Sequence, residues 1–432
     1  MSTTLAEITL SDEQQIALTA AVDWLKQFEE DKSKLRRPFF VIEGFAGTGK
    51  SFCVNEIVKA VGRKAFYMTY TGKAASVLVK YHNLKATTIH SKIYTLVTVP
   101  DSVFKELYKE RDAAEGKEKE KIIKQIEELL APQFTLNVEA FCAEDRKESV
   151  LVLDECSMVD DEVLDDLTSF GIPIIALGDP GQLPPIGGEG ALFKGISDAK
   201  LTEIHRQALG SPIIQWSMRC RKQQPLPSTD WKTWRKEVCS KFPKTFLTPS
   251  FAQELMDYHE IAICWKNITR QNLNQERRTH LGHAEINPIY PVVGEQLIIT
   301  KNDRDLGLYN GQFCKVIELG KEYPNFIETL VETEEHDDPV KLRLHKSTFE
   351  LYHNPNAKDN YKAWDYRDTH QADFGYVVTC HKAQGSQWDS VLVFEENVFN
   401  WYKNDAQTQR ARWLYTAITR AVNKVTIVAG KI

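Results

Sequence analysis

The segment Gly44-Phe45-Ala46-Gly47-Thr48-Gly49-Lys50-Ser51 fits the spacing GxxxxGK[ST]. An apolar run, Arg37 to Glu43, precedes it, and residues Ser51 to Val61 follow with helical periodicity. A glycine-rich turn between a strand and a helix can aim backbone N–H groups at a phosphate, and the positive end of the helix dipole adds to the attraction. Gly44, Ala46, Gly47, Thr48 and Gly49 would form that cradle, with Lys50 reaching the β and γ phosphates and the Ser51 hydroxyl ligating magnesium. A second element is Val150-Leu151-Val152-Leu153-Asp154-Glu155, an apolar run ending in two carboxylates. In an open parallel sheet the carboxyl ends of the strands are where ligands bind. Asp154 there suits magnesium coordination, and Glu155 suits a base that orients or deprotonates water. The expected cofactors are therefore a nucleoside triphosphate and Mg2+. Kinases, transporters and GTPases share these parts, so they define an NTPase and nothing narrower.

The elements that must position these residues are legible as alternation. Strand-like runs at 37–43, 64–68, 148–153, 172–177, 261–264 and 390–394 alternate with helical patterns, which implies α/β architecture with parallel sheets. Two stretches break the alternation. Residues 102–130 are densely charged with apolar positions at helical spacing, and read as a surface helix or helical hairpin. Residues 316–372 hold short strand-like pieces, an acidic run and a polar, aromatic-rich run, and read as a small β insertion.

Composition sets the outer limits. Of 432 residues, 42% are hydrophobic and 26% charged, which fits an ordinary globular chain with two to four domains. No apolar run reads as a membrane span, and the first residues lack the basic-then-apolar pattern of a secretory signal. The eight cysteines have no CxxC pair, so reduced thiols and a cytoplasmic setting are expected. The net charge of −6 argues against a coating protein for nucleic acid; a basic groove on an acidic surface stays compatible with it.

Further motifs carry a family resemblance. Asp154-Glu155-Cys156-Ser157-Met158 resembles the second motif of superfamily 1 helicases of the RecD- and Dda-like 1B group. Leu10 to Gln15 is similar to the family's Q motif, with Gln14 on the adenine edge. Thr71-Gly72-Lys73-Ala74-Ala75 and Thr88-Ile89-His90-Ser91 resemble motifs Ia and Ib. Gly178 to Pro185 resembles motif III, with Gln182 as sensor of the γ phosphate, and Leu201 to Arg206 resembles motif IV. Val378 to Ser386 and Leu414 to Ala421 resemble motifs V and VI. Each motif is short, but together they run in family order along nearly the whole chain.

The resemblance implies two RecA-like P-loop domains, 1–92 with 148–205 and 206–315 with 373–432. It implies a hairpin pin in an insertion at 93–147, drawn from Tyr94 to Phe104, and an SH3-like β insertion at 316–372. The long charged helix and the compact second insertion depart from Dda-like relatives. Lys50, Glu155, Gln182, Arg206 and Arg420 are the implied catalytic set, the two arginines being presented across a cleft to a phosphate that gathers charge in the transition state. Gly385 joins the nucleotide-binding set. Thr71, Lys73, Thr88, His90, Thr379, His381 and Lys382 are the implied contacts to a strand, made to its backbone and blind to its sequence. Phe104, Tyr361, Trp364 and Tyr366 are candidate base-stacking rings. The implied activity is an ATP-driven 5′-to-3′ single-stranded DNA translocase and helicase acting at single/double-strand junctions, as a monomer in a bacterial or phage-infected cell. Single-strand-binding, replication or recombination proteins would be its partners. A RecD-like motor subunit of a recombination complex and a nucleic-acid-independent P-loop ATPase stay open beside it.

Overall fold

The computed structural model of the protein describes residues 10–131, 133–185, 190–193, 197–203, 210–303, 305–354, 356–396 and 405–430. Arg206 lies outside them. The chain divides into two compact units. One takes the chain up to Thr88, then Phe141–Arg270 and everything from Val378 onward; the other takes Ile89–Ala140 and Gln271–Val377.

The first unit holds two sheets. A six-stranded sheet runs Ala86–Thr88, Lys64–Thr69, Ser149–Asp154, Ile174–Gly178, Phe39–Gly44, Ala199–Leu201, with every neighbouring pair parallel. Its central strands are apolar without alternation because helices cover both faces: Ile174–Gly178 is buried throughout, and Ser149–Asp154 is buried until the aspartate. Ala17, Ala21 and Leu25, on one face of the helix Asp12–Asp31, close part of this core against Phe40, Ile42, Ile175 and Leu177. The register sets Glu43 beside Gly178, and Thr69 beside Asp154. The chain therefore leaves the sheet for its phosphate loop, its acid pair and its GDPGQ segment at one edge, as an open α/β sheet requires of a ligand site. The second sheet runs Val377–Thr379, Ile261–Cys264, Trp388–Glu395, Ala421–Ala429, Cys239–Pro243. Its pairs from Ile261–Cys264 onward are parallel. These are the two RecA-like domains expected from the sequence.

The second unit is built differently. A five-stranded sheet runs Val340–His345, Phe326–Thr333, Phe313–Glu322, Gln296–Ile299, Ala372–Phe374, antiparallel throughout. It reaches beyond the 316–372 read from the sequence because its flanking strands, Gln296–Ile299 and Ala372–Phe374, are short apolar runs that look like pieces of the neighbouring α/β domain. Gly375 lets the chain leave this sheet: a Cβ there would come within 2.9 Å of the Leu297 backbone.

The other part of the unit corrects the pin reading. Tyr94–Val97 pairs antiparallel with Gln133–Leu136, and between them stand two helices, Asp101–Ala113 and Gly116–Leu130. No local hairpin spans Tyr94 to Phe104. Pro100 and Asp101 begin a helix instead of a turn, since proline loses nothing at a helix start and an aspartate there meets the positive dipole end. The charged stretch is the helical hairpin expected, and Phe104, Leu107, Tyr108 and Ile126 form its small core with Ala363. Phe104, a candidate for stacking on bases, is thus a core residue, 5% exposed. Among the described residues no helix is long and apolar enough to cross a membrane.

Candidate nucleotide site between two parallel-sheet domains

The phosphate loop follows its strand directly. Gly47 and Gly49 take positive φ (81° and 73°), and the helix Lys50–Val61 starts immediately after. Gly44 must lack a side chain because a Cβ would stand 2.7 Å from Cγ of Lys50. Lys50 Nζ donates to the Gly44 and Phe45 carbonyls at 3.0 and 3.1 Å, so its ammonium lies folded over the loop that a phosphate would enter. Gln14, on the first helix, donates from Nε2 to the Thr48 carbonyl at 3.0 Å. Its Oε1 accepts the Ser11 N–H while Ser11 Oγ accepts the Gln14 N–H, a reciprocal cap of the helix start. The structure therefore fixes Gln14 against the phosphate loop.

The acid pair sits at hydrogen-bonding range of the loop. Ser51 Oγ donates to Asp154 Oδ2 at 3.2 Å, and Asp154 Oδ1 accepts the Glu155 N–H at 2.8 Å. A hydroxyl and a carboxylate oxygen side by side are hard donors, the kind a magnesium ion takes while keeping waters and phosphate oxygens. Glu155 has φ 52°, a left-handed conformation that costs a non-glycine residue about 1 kcal/mol or more. Burial raises its carboxyl pKa above the ordinary value, the Arg420 cation works against that rise, and the Asp154 charge adds to it.

The second domain brings its motifs to the same place. Arg420 is buried and donates to the Thr416 carbonyl (3.1 Å), the Ser386 carbonyl (3.3 Å) and Thr419 Oγ1 (3.2 Å). Gln182 is 5% exposed, and its Oε1 has no hydrogen-bond partner among the described residues. Tyr70, Thr71, Glu155, Ser157, Met158, Gln384 and Gly385 line one small pocket that opens to solvent. Gly385 lies at the rim where the two domains meet rather than among the phosphate-loop residues: with φ 80°, its missing Cβ would stand 2.9 Å from Thr71 Oγ1.

The strand-contact candidates fall in both units. Thr71 caps the helix Gly72–His82, whose first turn carries Lys73, and Thr379 precedes the short helix Cys380–Ala383 that carries His381 and Lys382. The His381 ring packs 6.0 Å from Trp265, and burial lowers its pKa, so it is neutral at physiological pH. Thr88 ends a strand of the first unit and is 6% exposed. His90 belongs to the second unit, where its ring packs against Tyr94 and Phe134. Of the remaining stacking candidates, Tyr361 donates to Glu350 at 2.8 Å and Tyr366 stacks on His345 at 4.1 Å. Trp364 keeps 36% of its surface exposed.

Sequence reasoning missed Arg221. It ends the helix Pro212–Arg221, pairs with Asp179 and with Glu43 (3.2 Å), and lays its guanidinium over the Phe45 ring at 3.8 Å. Nothing in its own neighbourhood of the sequence marks it, because its partners are supplied by the other domain.

A phosphate loop, a strand-end acid pair and a second parallel sheet facing them define a P-loop NTPase of two RecA-like domains. The AAA domain model matches residues 30–237, and the UvrD-like helicase C-terminal domain model matches 374–428. The ATP-dependent DNA helicase Pif1 of Campylobacter jejuni is 21% identical, over 89% of this chain and 87% of that protein. The ATP-dependent RecD2 DNA helicase of Deinococcus radiodurans is 24% identical over 63% of this chain, which covers 35% of the larger relative. In fold, the chain is similar to Bacteroides Pif1 bound to ssDNA, with a TM-score of 0.52 at 18% identity, covering 98% of this chain and 93% of that one. The chain belongs to the superfamily 1B helicases, in their Pif1/RecD-like group, and as such is an ATP-dependent DNA helicase.

Proposed function

We propose that the protein steps 5′-to-3′ along single-stranded DNA and parts the duplex at a single/double-strand junction, one ATP hydrolysed between its two RecA-like domains per cycle. The observation that supports this best is the shared cavity: the base candidate Glu155 faces Thr71, of the Ia segment, and Gln384 and Gly385, of the V segment. A strand gripped by those segments can therefore alter the surroundings of the carboxylate that handles water. Lys50 and the loop amides hold the phosphates, Gln182 and Arg420 answer the charge that builds on the terminal phosphoryl, and Arg206 is assigned the same task from its motif alone. Ser51 and Asp154 would hold Mg2+, which supplies charge neutralisation at the phosphates. Thr71, Lys73, Thr88, His90, Thr379, His381 and Lys382 contact the strand without reading its sequence. The group's direction, 5′-to-3′, is taken from membership. The working unit is a monomer in the cytoplasm, meeting single-strand-binding and other replication or recombination proteins at the fork.

The test is ATP turnover with and without single-stranded DNA. Strong stimulation by the strand is expected. Lys50→Ala should abolish turnover while leaving most of the strand affinity, read by fluorescence anisotropy. Turnover indifferent to DNA would favour the nucleic-acid-independent ATPase instead.

A further inference from the structure

The hydroxyl of Tyr415 bonds to both segments of the first domain that flank a nucleotide's phosphates. It accepts the Ala46 N–H of the phosphate loop at 3.2 Å and donates to Oδ2 of Asp179. Tyr415 is 1% exposed and Asp179 fully buried. Burial and the neighbouring Asp179 charge push the phenol's pKa up, so it stays a donor at any working pH. The Asp179 carboxylate also takes the Gly181 N–H at 2.9 Å and the Arg221 guanidinium. One residue along the same helix, Thr416 Oγ1 accepts the Leu183 N–H at 3.0 Å. Two consecutive residues of the second domain thus bracket Gln182, one bonding to Asp179 and the other to Leu183. Gln182 is tied to the same turn, since its N–H donates to the Asp179 carbonyl at 3.0 Å.

We propose that Tyr415 is a positioning residue that reports phosphate occupancy of the loop to Gln182. This rests on the reading of the loop as an ATP site. The Ala46 N–H is one donor and cannot serve a phosphate oxygen and the phenol at once. A phosphate that takes this amide frees Tyr415 from the loop and leaves the hydroxyl committed to Asp179, which carries the turn that holds Gln182. The same competition weakens nucleotide binding in exchange for coupling it to the cleft.

Tyr415→Phe keeps the buried ring and removes the hydroxyl. In the full chain, its affinity for a non-hydrolysable ATP analogue should rise about fivefold, the weight of one uncontested hydrogen bond. Its DNA-stimulated kcat should fall about tenfold or more. Thr416→Val, which loses the Leu183 bond and has no contact with Ala46, should lower kcat without tightening the analogue. Unchanged or weaker analogue binding by Tyr415→Phe, or an intact kcat, overturns the proposal. Should Tyr415→Phe fail to fold, Thr416→Val decides: a lowered kcat at constant affinity supports the proposal, and an intact kcat overturns it. A wild-type protein that neither bound nor hydrolysed ATP would instead sink the reading of the site itself.

Discussion

At the scale of single residues, the proposed chemistry rests on Glu155. It stands one position after the aspartate that meets Ser51, in a left-handed backbone conformation that only a well-supported site can hold. Burial raises its pKa while Arg420 opposes the rise. A base is most effective when its pKa lies nearer the working pH, so the burial suits the proton transfer proposed for this carboxylate. Glu155→Gln should bind ATP with near-normal affinity and lose about 100-fold or more in kcat, measured by steady-state turnover. The sign of the pH dependence also follows. The acid limb of kcat should lie above the ordinary carboxylate range, with activity falling as pH drops through the raised pKa and Glu155 takes a proton. A limb at the ordinary glutamate value would contradict this. At this scale the meeting of Ser51 with Asp154 could be expected from the sequence, because each motif sits on a short loop directly after an apolar strand. Arg221 and the role of Tyr415 could not, because each acts through partners remote in the chain, Glu43 and Asp179 for one, Ala46 and Asp179 for the other.

Elements show where local signals suffice and where they fail. The strand Ile174–Gly178 is an unbroken apolar run, and the helix Lys50–Val61 carries its own periodicity and ends on a left-handed glycine, so both are readable in isolation. The ribbon of Tyr94–Val97 with Gln133–Leu136 is not, since its partner strand arrives only after two helices and no turn residue announces the pairing. Buried polar ties are equally silent: Arg278, fully buried, pairs with Glu295 at 2.6 Å, a link no pattern of charges in the sequence suggests. His259 makes one such tie testable. Its Nδ1–H donates to the Leu255 carbonyl at 2.7 Å and its Nε2 accepts from Thr426 at 3.0 Å, joining a helix end to the strand Ala421–Ala429. Burial lowers its pKa to about 4 from an ordinary 6.5. The folded form thus prefers the neutral ring, and stability present above pH 6.5 is lost as pH falls toward about 4. By about pH 5 the loss should be about 2 kcal/mol, read by urea denaturation, and His259→Gln should not share it. Equal acid slopes in the two proteins would contradict the assignment.

For the whole molecule, the net charge of −6 says little about what it grips, because the strand-contact candidates Lys73 and Lys382 act locally. What the two parallel-sheet domains provide is a pair of surfaces whose contacts, Arg221 to Glu43 and Thr416 to Leu183, can be rearranged by a nucleotide between them. A motor that closes and opens in this way must move in one sense along a polar strand. Strand displacement on matched duplexes bearing either a 5′ or a 3′ single-stranded tail tests that most directly. ATP-dependent unwinding is expected from the 5′-tailed substrate and none from the 3′-tailed one; unwinding from the 3′ tail alone, or from neither, would contradict 5′-to-3′ stepping.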